Sequence, residues 1–351
     1  MDKNWSDKNK QMQKLLAREK TFKEGISTLL ELREELFSQI TQIVMTYPKQ
    51  VFCQMPYPKA SGFHNKTLAY SIWHIFRIED IVAHEMIAED RQILFSKKYD
   101  KSIGSPIITT GNELAGDEIV ELSKKLNITK LYKYASNAKD STDRILQKLE
   151  YPDLKRRFDE DMYRKLQESG CISSDEKASN LIDYWCSKDV EGLIRMPFSR
   201  HWIMHIEAML RIASRIRQLA RKGIDPIAYC GLSCDHCFLG LYCGSCRTDY
   251  NVCSNATMSP DGVCPNVKCC KEKGYDGCYE CEELESCQKG FYVPSNDGAN
   301  AAKAHCLYIR KYGKKELLKV QDRLHKKFDF EKTQEILGQD LKEGLKILEN
   351  N

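Results

Sequence analysis

The sequence predicts a mainly α protein: an antiparallel four-helix bundle, then a small irregular cysteine-rich metal-stabilised domain with a helical C-terminal tail. Three observations carry this. Long segments upstream of residue 222 repeat apolar residues every three or four positions, the period of a helix with one buried face. Thirteen of the sixteen cysteines fall between Cys230 and Cys306. From Ile224 the texture changes to Gly, Cys, Asp and Pro at short intervals, with little periodicity until Asn300. At 351 residues the chain exceeds what one core usually organises, so it is divided into residues 1–222 and 223–351.

Each element follows from a local signal. Thr21 to Met45 places Leu29, Leu30, Leu32, Leu36, Ile40 and Ile43 at helical spacing, and the polar residues 1–20 extend that helix or fray. Thr67 to Glu89 is a second helix, with Leu68, Ile72, Ile75, Val82 and Met86 on one face and Tyr70, Arg77 and His84 on a solvated side. A loop spans Lys97 to Thr110. Thr129 to Glu150 is a third long helix, with Thr129 as candidate cap and Pro152 beyond its end. Ser173 and Glu176 have capping-box spacing before a shorter helix to about Asp189. Pro197 suits the first turn of the fourth long helix and Gly223 the residue past its end. The tail reads as helices over Ala299 to Tyr312, Lys314 to Lys327 and Glu331 to Leu348. The cysteine-rich stretch before it is too poor in apolar residues to fold without help from metal.

Composition narrows the classes. The chain is 42% apolar and 30% charged, that of an ordinary folded protein. No apolar run is long enough to span a membrane, and the first residues lack a signal peptide's apolar stretch, so the expectation is a cytoplasmic protein with no membrane partner. In that reducing compartment clustered cysteines read as metal ligands and not as disulfides. Cutting after Lys222 leaves 37 Lys and Arg against 31 Asp and Glu upstream and 17 against 19 downstream. The cysteine-rich part is therefore acidic, which argues against nucleic-acid binding.

His201 and His205 lie four residues apart, on one helix face a turn apart, and their stripe continues through Met209, Ile212, Ile216 and Leu219. Histidines on a core-facing seam must be hydrogen-bonded or bound to something. His74 sits in the middle of the apolar segment Ser71-Ile72-Trp73-His74-Ile75-Phe76. Three histidines on two helices leave a fourth position open, the pattern of a catalytic divalent metal. Glu79, a carboxylate on the apolar face of the His74 helix, is a candidate partner of a histidine or general base, or else an ion pair with Arg77 or Arg211. His84 is read as a surface residue and His64 as a cap. Cys171 and Cys186 read as small buried apolar residues.

A helix carrying Trp73-His74 and a late helix carrying His201-x3-His205 resemble the DinB/YfiT-like superfamily over about residues 20–222. That resemblance implies a DinB-like four-helix bundle whose histidines hold zinc, nickel or another divalent ion. It implies a metal-dependent S-transferase or isomerase using a small-molecule thiol, or a hydrolase, and it admits a homodimer. The gap between His74 and His201 is long for the family. The segments Asn112 to Leu126 and Asp159 to Asp189 look like insertions, so the substrate is not inherited.

Downstream, Cys234-x2-Cys237, Cys243-x2-Cys246 and Cys278-x2-Cys281 have the two-residue gap that turns both sulfurs toward one ion, and Cys230, Cys253, Cys264, Cys269, Cys270 and Cys287 complete the candidate ligands. Zinc, as two or three ions, is the first expectation and an iron–sulfur cluster the alternative. Cys243 and Cys246 belong to one site and Cys278 and Cys281 to another, with Cys230, Cys234 and Cys237 near the first or in a third. Cys306 is left over, and His236 and His305 are candidate substitutes for a sulfur. The opening Cys230-Gly231-Leu232-Ser233-Cys234-Asp235-His236-Cys237 with Cys264-Pro265 is similar to a prokaryotic cysteine-rich family of unknown function, over about residues 225–327. Three functions follow: an enzyme activating a thiol or water at the histidines, a non-enzymatic zinc- or redox-sensing or interaction protein, and an iron–sulfur electron carrier.

Overall fold

A computed structural model describes residues 3–237, 243–296 and 298–351. The protein is mainly helical, and the described residues contain no strand, only isolated bridges joining Arg157 to Asp189 and Ile227 to Ser233. The chain divides into two compact units, Met1–Ala213 and Ser214–Asn351. The division falls inside a helix, upstream of the composition change that placed it after Lys222.

The N-terminal unit opens with α1 (Lys3–Leu16), which packs on α2 (Phe22–Thr46). The first residues thus form a separate helix, neither an extension of α2 nor a frayed end, because Met12 and Leu16 are fully buried and anchor it. α3 (Leu68–Asp80) runs on into a π-helical stretch, Ile81–Ala88. After α4 (Ile93–Ser96) and α5 (Asp117–Lys125) comes α6 (Ile128–Lys148), capped by Asn127 and not by Thr129. α7 (Glu160–Glu168) and α8 (Glu176–Cys186) follow, and Asp175, not Ser173, caps α8. α9 (Val190–Arg195) leads through a second π-helical stretch, Met196–Arg200, into α10 (His201–Ala220). Pro197 lies in that stretch, where a missing backbone N–H is least costly. Phe37 of α2, Phe76 of α3, Tyr132 of α6 and Trp202 of α10 stack in one aromatic cluster, so the four long helices share a core.

α3 is buried around its whole circumference. The solvated side expected from Tyr70, Arg77 and His84 does not exist, since these are 2%, 0% and 2% exposed. The segment 108–111 lies along that side and its carbonyls accept from four α3 side chains in turn. Tyr70 Oη donates to Gly111 O at 2.9 Å, Trp73 Nε1 to Thr109 O at 3.0 Å, His74 Nδ1 to Thr110 O at 2.9 Å and Arg77 Nε to Ile108 O at 3.0 Å. Asp80 accepts from the backbone N–H of Ile93 at 2.7 Å and of Leu94 at 2.9 Å, pinning the start of α4. Polar residues on this face report a covering loop, which satisfies them as burial requires.

In the C-terminal unit α11 (Ser254–Thr257) and α12 (Pro265–Lys273) punctuate the cysteine-rich loops, and α13 (Ala299–Tyr312), α14 (Lys314–Lys327), α15 (Phe330–Gly338) and α16 (Leu341–Glu349) follow. The single helix expected over Glu331 to Leu348 is two, broken at Asp340, which caps α16. The tail is no appendage. α13 packs against each of the other three, and Ile227, Tyr279, Leu284 and Tyr292 from the loops share one core with Ala301, Leu317, Val320, Leu337 and Leu348. The apolar surface the loops lack is thus supplied by the tail helices.

Gly231 locks loop to helix. Its φ is +87°, and a Cβ there would clash with Cys306 Sγ and meet Ala302 O at 2.9 Å. Gly231→Ala combines a left-handed backbone penalty with a clash against α13, and should destabilise the C-terminal unit by about 1–3 kcal/mol. Hydrogen exchange on α13 amides checks this: protection falls in the variant, whereas wild-type protection would place Gly231 outside the packing.

Candidate metal centre

The two helices that carry the histidines bring the rings to one point. The ligand atoms of His74, His201 and His205 all lie within 4.8 Å of one another, and all three residues are buried. His74 Nε2 and His201 Nε2 stand 3.2 Å apart, close to the ~3.4 Å edge of a tetrahedron with metal–nitrogen bonds of about 2.0–2.1 Å. His205 sits 4.8 Å from the His74 ring and 4.5 Å from that of His201, centroid to centroid.

The surroundings could hold a cation. His74 Nδ1 faces the Thr110 carbonyl at 2.9 Å; as donor there it turns the lone pair of Nε2 toward the other rings. Metal-bound histidines are oriented in this way. Both ring nitrogens of His205 and Nδ1 of His201 are buried with no hydrogen-bond partner. Orphaned polar atoms of this kind each cost about 1–3 kcal/mol, and coordination relieves the one that turns to the ion. Burial pushes the His74 imidazole down to about 4, against the Thr110 carbonyl that raises it. Burial, then the neighbouring rings, hold His201 and His205 well below their ordinary value. The rings therefore stay neutral with lone pairs available, the form a metal requires.

Around the triad, Phe63 stands edge-on to His205 at 4.7 Å and Tyr70 stacks on His74 at 5.5 Å. Lys66, half-buried and with its pKa lowered by burial, approaches from the same loop. His64 caps no helix: Thr67 caps α3, and His64 meets Arg211 at 3.4 Å. His84 is no surface residue; it is buried and its Nδ1 bonds the Asp90 carboxylate.

Glu79 is not placed as a general base. Both its oxygens accept from Arg33, at 3.0 Å and 2.7 Å. The ion pair is therefore with Arg33 of α2, not with Arg77 or Arg211. Arg33 also donates through Nε to Asp143 of α6 at 2.6 Å and through Nη1 to Phe198 O at 3.1 Å, and its guanidinium lies 4.4 Å over the Trp202 ring. Burial lifts the Glu79 carboxyl above its ordinary pKa while Arg33 pulls it back. The sequence reading did not single out Arg33. Its signal was position, a cation on the stripe between Leu29 and Leu36.

The cysteines of the C-terminal unit fall into two groups. Cys230, Cys234, Cys237, Cys243, Cys246, Cys253 and Cys264 line one cavity of about 110 Å³. Cys269, Cys270, Cys278, Cys281 and Cys287 line another of about 20 Å³, where Cys270 Sγ and Cys278 Sγ are 3.6 Å apart. None of the sixteen cysteines is in a disulfide. Cys306 is buried with its sulfur 3.4 Å from Tyr292 Oη. His305 Nε2 pairs with Gln321 at 2.8 Å, and His236 lies between Ser233 and Asp322 at 3.0 Å from each. Cys171 is in the core of the N-terminal unit and Cys186 packs at its edge.

No family model, curated protein or solved structure matches the chain. Among the described residues no helix is long and apolar enough to cross a membrane.

Two predictions follow from these contacts. Arg33→Met should cost about 3–5 kcal/mol, because it leaves the Glu79 charge buried and unpaired, whereas Arg33→Met with Glu79→Leu should recover much of that loss. Urea unfolding followed by tryptophan fluorescence reads the N-terminal unit alone, since Trp5, Trp73, Trp185 and Trp202 all lie there; equal losses in the single and double variants would contradict the pairing. In chelator-treated protein the unfolded histidines take protons near 6.5 but His74 only near 4. The unfolded chain then binds more protons in between, so stability rises with pH across that window and is lost as pH falls through it. A flat unfolding free energy between pH 6.5 and 4 would contradict the buried neutral triad.

Proposed function

We propose that His74, His201 and His205 hold a divalent ion, zinc, nickel or another, and that the protein is a metal-dependent enzyme acting on a small-molecule thiol or on water, for transfer or hydrolysis. The N-terminal unit is read with this as an antiparallel DinB-like four-helix bundle. One observation carries the proposal: among the described residues the converging set stops at three histidines, with no cysteine or carboxylate in it. A structural zinc site closes with four protein ligands, and a catalytic one leaves the fourth for substrate or water. A metal bound there lowers the pKa of a coordinated water or thiol and supplies a nucleophile near neutral pH. His74 keeps one tautomer through Thr110. Arg33 and Glu79 brace α2 against α3 and neutralise each other, and so hold the ring positions without a proton-transfer role. Lys66 adds positive charge on the loop beside the triad, suited to an anionic substrate group.

The C-terminal unit is read as metal-stabilised, with a structural zinc ion in the smaller cysteine group. The 3.6 Å separation of Cys270 and Cys278 supports this, since sulfurs sharing one zinc at about 2.3 Å stand about 3.8 Å apart.

A second reading has its own support. The triad residues are 6%, 7% and 2% exposed, with Phe63 and Tyr70 packed on their rings, as suits a metal-sensing or interaction protein that performs no chemistry. Cobalt substitution separates the two. His201→Ala should lose one ion per chain, and a small thiol added to the cobalt form of the wild type should shift its visible spectrum. A spectrum indifferent to thiols and to azide would close the fourth position and favour the non-enzymatic reading.

A further inference from the structure

We propose that the larger cysteine cavity of the C-terminal unit binds an iron–sulfur cluster and not a single zinc ion. Size is the first argument. One zinc draws four sulfurs to about 2.3 Å from itself and about 3.8 Å from one another, a closed tetrahedron with no room inside. The cavity measures about 110 Å³, against about 20 Å³ for the smaller group. A water needs roughly 10–15 Å³ of such space, so the larger cavity takes several atoms.

Ligand supply is the second. Seven thiols face this cavity. The pairs Cys234-x2-Cys237 and Cys243-x2-Cys246 by themselves supply the four thiolates that a cluster needs.

The walls and the backbone are the third. Leu232, Val267, Phe291 and Phe330 make the lining largely apolar, a setting in which thiolate charge must be met by bound cations. Between Cys243 and Cys246 the backbone is bent unusually. Ser245, which is not glycine, has a φ of +97°, and its N–H donates to Cys243 Sγ at 3.4 Å. Such a conformation costs of order 1–3 kcal/mol and persists at sites that use it. An amide aimed at a ligand sulfur is among the contacts that set a cluster's potential.

The test is made on the full-length protein, purified without oxygen or reconstituted with ferrous iron and sulfide and then desalted. The expected result is iron and acid-labile sulfide in equal amounts, with a broad visible absorption that bleaches on adding dithionite. Cys243→Ser with Cys246→Ser should lower iron and sulfide several-fold, whereas Cys53→Ser should leave both at the wild-type level. Wild-type protein that holds zinc but no labile sulfide after reconstitution would overturn the proposal, as would sulfide content unchanged in the Cys243→Ser, Cys246→Ser variant. His201→Ala should keep the full cluster, so this result stands or falls separately from the histidine centre.

Discussion

The N-terminal unit depends on one constraint: a helix buried on every side must find partners for all its polar side chains. α3 solves this with the carbonyl run 108–111, which accepts from Tyr70, Trp73, His74 and Arg77. Each of those bonds is worth only about 1 kcal/mol net, but leaving any of the groups unmade inside the core would cost more. The same run that satisfies the helix also fixes the His74 ring. Structure and site are therefore not separable here.

The other two histidines depend on how α10 enters the core. The π-helical stretch Met196–Arg200 immediately precedes His201, and wide turns of this kind occur at functional sites. Arg33 donates through Nη1 to the Phe198 carbonyl and to Glu79, through Nη2 to Glu79 and through Nε to Asp143. One guanidinium thereby ties α2, α3, α6 and the entry to α10. A buried ion network is a weak source of net stability, and its stronger effect is to admit only one arrangement of the helices. That arrangement is the one in which three imidazoles meet.

Periodicity made much of this legible. The four-residue step from His201 to His205 and the apolar surroundings of His74 were sufficient to place all three on buried faces. The tail segments Ala299–Tyr312 and Lys314–Lys327 have the bounds their sequence suggested. What the pattern missed has a common cause. Periodicity identifies which face of a helix is apolar, but not whether a loop covers the other, so Tyr70 and Arg77 read as solvated although residues 108–111 bond them, and His84 although it is buried and bonds Asp90. Glu79 looked anomalous alone, and its pairing with Arg33 spans 46 positions that no local signal connects. The cysteines behave alike. Their two-residue gaps were visible, but the division of the thirteen into seven, five and a buried Cys306 depends on tertiary packing around α12 and α13.

In the proposed function one ion sits among the three rings of His74, His201 and His205. Anomalous diffraction at the metal edges, on crystals grown without chelator, tests it directly. The result that agrees is a single peak bonded to His74 Nε2, His201 Nε2 and a ring nitrogen of His205, with its remaining position held by something other than protein. Clear density for the three rings with no peak between them, or with His205 turned away from the other two, would contradict it.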